Sequence, residues 1–185
     1  VRFTAFLRAI NVGGHTVKMA QLRVLFESLG LSNVTTFIAS GNVIFETRQK
    51  HAHSLESKIE RHLSGTLGYG VATFVRSLDE VADVASYRAF PHVDVSASGG
   101  TLYVGFLRTP PTHEVQQKLL ALRSDVDELH LHGRELYWLC HTKFRESAFS
   151  GALLEKALGM SMTIRNLTTV TRIATKYADK TRADH

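Results

Sequence analysis

Two segments of the chain occur twice. "AFLR" at residues 5–8 returns as "GFLR" at 105–108, and "VRSLDEVADVA" at 75–85 returns as "IRNLTTVTRIA" at 164–174. In the second pair Val75/Ile164, Arg76/Arg165, Leu78/Leu167, Val81/Val170 and Ala85/Ala174 stand in register. Such a repeat admits few folds, because what one half forms the other must form too. The matches lie 100 and 89 residues apart, so element order is kept while loop lengths change.

Hydrophobic period supplies the elements of each half. The first reads as a strand at 2–8, a helix at about 17–29 with Met19, Leu22, Phe26 and Leu29 on one face, and two strands around "SGN". A helix at about 54–67 follows, with Leu55, Ile59 and Leu63 at helical spacing, then the strand "VATFVR". Ser77 with Glu80 three residues on is a capping box that opens a further helix. The order βαββαβ plus a helix is that of a ferredoxin-like unit. From residue 101 the same order returns: "TLYVGFLR", "THEVQQKLLALR", the hairpin "DELHLHGRELYWLC", "GALLEKALG", "MTIR" and "NLTTVTRIATKYA". The expected fold class is α+β, two ferredoxin-like halves from an internal duplication. Their expected spans are 1–90 and 91–185, meeting in the linker-like stretch "FPHVDVSASGG".

With 185 residues, 44% of them hydrophobic, the chain has enough apolar material for packed cores. No apolar run approaches the roughly 18 residues of a membrane span, and "VRFTAFLRAI" alternates like a strand and not like a cleaved leader. A lone cysteine, Cys140, agrees with a reducing compartment, so a cytoplasmic protein with no membrane partner is expected. A net charge of +5 permits an acidic partner without demanding nucleic acid.

In a ferredoxin-like unit the loop after the first strand and the hairpin after the second share one end. That end carries "NVGGHTVK" and "SGN", which gathers Asn11, Gly13, Gly14, Lys18, Ser40, Gly41 and Asn42, with Arg8 at the strand exit. Glycines let the backbone approach a ligand, and a helix N-terminus presents free N–H groups suited to phosphate or carboxylate. If Thr16 caps the helix, Lys18 in its first turn opposes the dipole by about 0.3–1 kcal/mol unless an anion is present. The pattern is neither "GxxxxGK[ST]" nor "GxGxxG", so no nucleotide fold follows. Arg165 with Asn166 adds a second polar pair from the other half. Each feature also has a structural explanation: the glycines and "SGN" as turns, Asn166 as a helix cap in the place of Ser77, Arg76 and Arg165 as ties to loop carbonyls.

Catalytic signatures are sparse. Cys140 shares a strand face with Leu136 and Trp138, which reads as buried. His130 and His132 share a face opposite Tyr137 and Glu135, but two histidines without a third ligand imply no metal. No cofactor is implied. His15 in the glycine loop is a candidate acid or base for an enzyme acting on a phosphorylated metabolite. RNA binding is the other alternative, since RNA-recognition modules display aromatics on such a sheet; Phe3, Phe6 and Phe45 are the candidates, with a core role as the competing reading.

"LRAINVGGHTVKM", "SGNVIF" and "LLEKALGMSMTIRN" together resemble the family filed as domain of unknown function 1697, across nearly the whole chain. Leu7, Arg8, Asn11, Val12, Gly13, Gly14, Lys18, Met19, Ser40, Gly41, Asn42, Val43, Phe45, Leu154, Glu155, Lys156, Thr163, Arg165 and Asn166 match its pattern. The resemblance implies a small cytoplasmic bacterial α+β protein and no established activity. Three positions depart from it: Ala9 replaces a glycine, Leu167 a tryptophan, and Ala148 falls where many members have lysine. The leading expectation is a protein that binds a small anionic or phosphorylated ligand at the glycine-loop rim.

Overall fold

The structure, a computed structural model, describes residues 1–11, 13–142 and 149–178, with the backbone alone for Ser40. Val12 and Ala148 of the family comparison lie outside the described residues. The chain forms two compact units, Val1–Ala85 with the described residues from Val170 on, and Ser86–Thr169.

In the first unit β1 (Arg2–Leu7), α1 (Met19–Glu27), β2 (Ser32–Phe37), β3 (Ala39–Glu46), α2 (Ala52–Leu67), β4 (Thr73–Ser77) and α3 (Leu78–Ser86) follow in order. The strands lie β2-β3-β1-β4, antiparallel throughout, which is the ferredoxin-like arrangement. Strand alternation puts Phe3, Ala5 and Leu7 on one face, against Leu22 and Phe26 of α1 and Leu55, Ile59 and Leu63 of α2. Burying each of these large side chains contributes about 1.5–3 kcal/mol. Phe3 stacks on Phe45 with centroids 5.9 Å apart inside this core, and Phe6 is buried on the other face. None of the three is displayed as a base-stacking platform.

The second unit begins at Ser86, the last residue of α3, and contains α4 (Val95–Ser98), β5 (Thr101–Leu107), α5 (His113–Leu120), β6 (Asp127–His132), β7 (Glu135–Cys140), α6 (Gly151–Leu158) and β8 (Met162–Asn166). Its sheet order, β6-β7-β5-β8, repeats the first. Leu136, Trp138 and Cys140 share a buried face with Leu119, Leu154 and Met162, as the strand period predicts. The four-residue α4, capped by Asp94, forms inside the stretch expected to be plain linker. The last helix, α7 (Leu167–Tyr177), groups from Val170 on with the first unit. There Arg2 donates to the Tyr177 carbonyl at 3.3 Å, and Arg172 and Lys176 stand over the Phe37 ring.

The fourth strand of each half is a sheet edge, and the outward amides of β4 are met by carboxylates. Thr73 N donates to Glu60 Oε1 at 2.9 Å, Val75 N to Glu56 Oε1 at 2.9 Å and Ser77 N to Glu80 Oε2 at 2.8 Å. Glu80 N in turn donates to Ser77 Oγ, completing the capping box. On β8 the amide of Met162 donates to Glu155 Oε1 at 3.0 Å. Such caps remove the template that an open edge offers to another strand.

Candidate functional site

The loop from β1 to α1 is anchored from below and exposed above. Its backbone takes positive φ at Ala9 (56°), Gly13 (65°) and Gly14 (81°). A Cβ on either glycine would meet nothing within 4 Å, so conformation and not crowding requires glycine there. Ile10 and Val17 are buried, while Val17 N donates to Asn11 Oδ1 at 2.7 Å and closes the loop. Tyr69, from the turn before β4, donates its hydroxyl to the Ile10 carbonyl at 2.7 Å and stacks on the His15 ring at 4.1 Å. Arg8, Asn11, Gly13, Gly14, His15, Thr16 and Lys18 are all exposed.

The helix starts two residues later than its sequence period suggests. Met19 is its first residue and Lys18, not Thr16, is its N-cap; Lys18 makes no side-chain cap, and no acidic residue stands in the first turn. Among the described residues, the first-turn amides of Met19, Ala20 and Gln21 have neither an intrahelical acceptor nor a capping oxygen. His15 has the Tyr69 ring contact and no hydrogen bond among the described residues, so no acceptor orients it as a base.

"SGN" does not form the hairpin turn. Ile38, at φ 64° and 52% exposed, makes the turn between Phe37 and Ala39. Residues 40–42 then bulge from β3, which advances from Ala39 to Val43 while β2 advances from Phe37 to Thr36. Asn42 is 3% exposed, opposite Phe6 on β1, and donates Nδ2 to the Phe37 carbonyl at 3.1 Å, so its amide holds the bulge. Gly41 lies beside it, half-buried. The shared strand end thus exists, with Arg8, Asn11, Gly13, Gly14 and Lys18 open to solvent and Asn42 turned inward.

Arg165 and Asn166 belong to the second unit. Arg165 Nη1 donates to the Ile164 carbonyl at 2.9 Å and to Thr163 Oγ1 at 2.8 Å, and burial pulls its guanidinium down to about 10. Its repeat partner Arg76, 1% exposed, folds back in the same way onto the Val75 carbonyl at 3.0 Å. Asn166 accepts from Thr168 N at 2.9 Å at the start of α7. Both residues therefore have local structural partners.

The profile of DUF1697, a family described as proteins of unknown function, matches residues 1–137. The chain belongs to this family. A solved structure, that of the conserved bacterial protein SP0830 from Streptococcus pneumoniae, aligns with a TM-score of 0.75 at 24% identity, covering 95% of this chain and 97% of that one. At that identity the likeness is one of fold. Comparison with curated proteins found no match.

This DUF1697 chain carries a second polar cluster, in its second unit. The Tyr87 hydroxyl lies 2.8 Å from His130 Nε2, and its ring stacks on His132 at 4.0 Å. Burial, then the charge of His132, lowers the His130 pKa; burial, then Glu135 and Tyr87, raises that of Tyr137. Glu128 joins His141 at 2.7 Å and His92 at 3.1 Å, and the His141 bond leads in holding its carboxyl below the usual range. Among the described residues no three His, Cys, Asp or Glu side chains are arranged to hold a metal ion, and no helix is long and apolar enough to cross a membrane. Tyr137 and Glu135 lie opposite His130 and His132 across the hairpin, as expected, with His130 in register with Tyr137 and His132 with Glu135. Sequence reading misses Tyr87 and Tyr69, whose partners are 43 and 59 residues away.

Proposed function

We propose that the rim formed by the loop of residues 8–18 and the N-terminus of α1 binds a small anionic or phosphorylated ligand. One observation carries this reading: a lysine occupies the N-cap of an uncapped helix whose first turn has no acidic residue. That places two positive features together, at a cost of about 0.3–1 kcal/mol to the empty helix. An anion on the first-turn amides would remove the conflict. Lys18 and Arg8 supply charge, and the exposed backbone of Gly13 and Gly14 supplies close approach. Asn11 holds the loop through Val17, while Ser40, Gly41 and Asn42 shape the neighbouring bulge. Arg165 and Asn166, each with partners in its own unit, contribute less to this reading.

A thermal-shift series with inorganic phosphate, sugar phosphates, nucleotides and dicarboxylates tests it on the wild type and Lys18→Ala. A ligand at about 100 times its Kd stabilises the native state by about 2.7 kcal/mol, a visible rise in Tm. The reading expects such a rise with at least one phosphate-bearing compound and its loss in Lys18→Ala. An equal rise in both proteins, or none in either, contradicts it.

A further inference from the structure

Helix α2 separates its charges. Both of its carboxylates, Glu56 and Glu60, turn inward and accept from the edge amides of β4 at 2.9 Å. The residues spaced four apart on the other side are His53, Ser57, Arg61 and Gly65 in one row and Ser54, Lys58, His62 and Thr66 in the next. Neither row contains an acid or a Phe, Tyr or Trp ring, and both imidazoles are engaged, His53 Nδ1 with Glu56 Oε2 at 3.3 Å and His62 with Ser28. Sixteen residues make this track about 24 Å long. It continues upstream into Arg48, Lys50 and His51, all exposed.

The track opens into a cleft of about 450 Å³ lined by Leu29, Lys58, Arg61, His62, Gly65 and Thr66. Lys58 Nζ donates to the Leu29 carbonyl at 2.9 Å, which fixes the ammonium at the cleft wall and leaves two of its three donors. His62 is held by Ser28 Oγ at 2.9 Å. Arg61 is exposed and has no hydrogen bond or ion pair among the described residues. Gly65 sits in the helix interior with no atom within 4 Å of a Cβ position. Packing gives no reason for glycine there, although it costs about 1 kcal/mol relative to alanine; an open floor lets a ligand reach the helix backbone.

We propose that this face of α2 binds the phosphodiester backbone of a nucleic-acid duplex. Guanidinium, ammonium and hydroxyl groups in two parallel rows are the donors that phosphate oxygens take. With no Phe, Tyr or Trp on the track and its two imidazoles held by Glu56 and Ser28, it lacks the large stacking platform that a single strand uses, and a track of this length exceeds what a free phosphate can occupy. Binding through such contacts does not depend on base sequence. It also does not rest on the glycine-loop site, which lies on other elements.

The test is fluorescence anisotropy with a labelled duplex of about 20 base pairs, DNA and RNA in separate arms, across a salt series. The proteins are wild type, Arg61→Glu, Lys58→Gln/Arg61→Gln and Lys18→Ala. Wild type should bind with log Kd rising against log salt at a slope of about 2–3, as release from two or three phosphates requires. Arg61→Glu and the double glutamine variant should each weaken binding at least about tenfold and lower that slope by about 1–2, while Lys18→Ala binds as wild type does. The glutamine pair keeps side-chain length, and circular dichroism verifies that the fold persists. Tight binding of a single strand in preference to the duplex overturns the proposal. So do duplex affinity unchanged in both α2 variants, loss only in Lys18→Ala, absence of duplex binding at low salt, or competition by millimolar inorganic phosphate alone.

Discussion

The connection after β1 and the connection after β5 occupy the same place in the repeat, and both follow "FLR". The second is short and conventional. Residues 108–112 end in Thr112, whose hydroxyl accepts from Val115 N at 3.3 Å, and Glu114 stands in the first turn of α5. The first runs from residue 8 to 18, has positive φ at Ala9, Gly13 and Gly14 among its described residues, and delivers Lys18 to the cap of α1 with no side-chain bond. One half shows what the fold needs at this point, so the extra length, the glycines and the lysine of the other are not required to make a ferredoxin-like unit. On the fourth strands, Glu60, Glu56 and Glu80 accept from amides of β4, and Glu155 accepts from Met162 on β8.

The largest break in this comparison comes at the edges. Glu56 is fully buried, accepts from Val75 N and lies 3.9 Å from Arg76, itself 1% exposed. Glu56→Ala should cost about 3–5 kcal/mol in urea unfolding, because it removes a fully buried carboxylate that accepts from Val75 N and faces a buried guanidinium. Glu155→Ala, which removes the acceptor of Met162 N, should cost at least about 1–3 kcal/mol. A cost of only about 1 kcal/mol for Glu56→Ala would mean that this carboxylate contributes little beyond its backbone bond.

Next come the backbone positions of the long loop. Gly13→Ala and Gly14→Ala should each cost about 1–2 kcal/mol, since a Cβ disfavours left-handed backbone. Ala9, at φ 56° where the family pattern has glycine, should show the reverse: Ala9→Gly is expected to gain up to about 1 kcal/mol. A loss on Ala9→Gly would show that this residue is not strained.

The caps sharpen the contrast further. Thr112→Ala should destabilise by about 1 kcal/mol, whereas Lys18→Asp should stabilise by about as much while abolishing the anion binding proposed above. A destabilised Lys18→Asp would contradict the view that this cap is left empty at a cost to the helix.

The smallest effect concerns pH and the second unit. Burial lowers the His130 pKa from 6.5, so the folded state holds the neutral ring and binds fewer protons than the unfolded chain. Stability should therefore be full above that value and fall as the pH drops below it. His130→Gln should flatten the dependence in urea titrations. Glu128, lowered chiefly by its His141 bond, should add a further loss as the pH falls below 4.5 toward its folded pKa.

Much of this architecture was legible because its cause is local. The aligned pairs around Arg76 and Arg165 fall on β4–α3 and β8–α7, and the Ser77–Glu80 box opens α3 as its spacing says. The face shared by Leu136, Trp138 and Cys140 is a strand period and nothing more. What escaped depends on distant partners. Glu56 and Glu60 read as ordinary polar helix positions until β4 is beside them. Tyr69 has no motif that announces a bond to Ile10. "SGN" has good turn chemistry, yet the turn falls on Ile38, a branched residue that local preference would place last. Lys18 as a cap defies the preference for Ser, Thr, Asp or Asn, which is why the sequence pattern starts the helix too early.

The most direct test of the central contrast is a titration of uniformly ¹⁵N-labelled protein with inorganic phosphate at low salt, following backbone amide shifts. The account predicts saturable shifts at Gly13, Gly14, Met19, Ala20 and Gln21, none at His113, Glu114 and Val115, and loss of the response in Lys18→Asp. Shifts of similar size at both helix starts, or at neither, would contradict it.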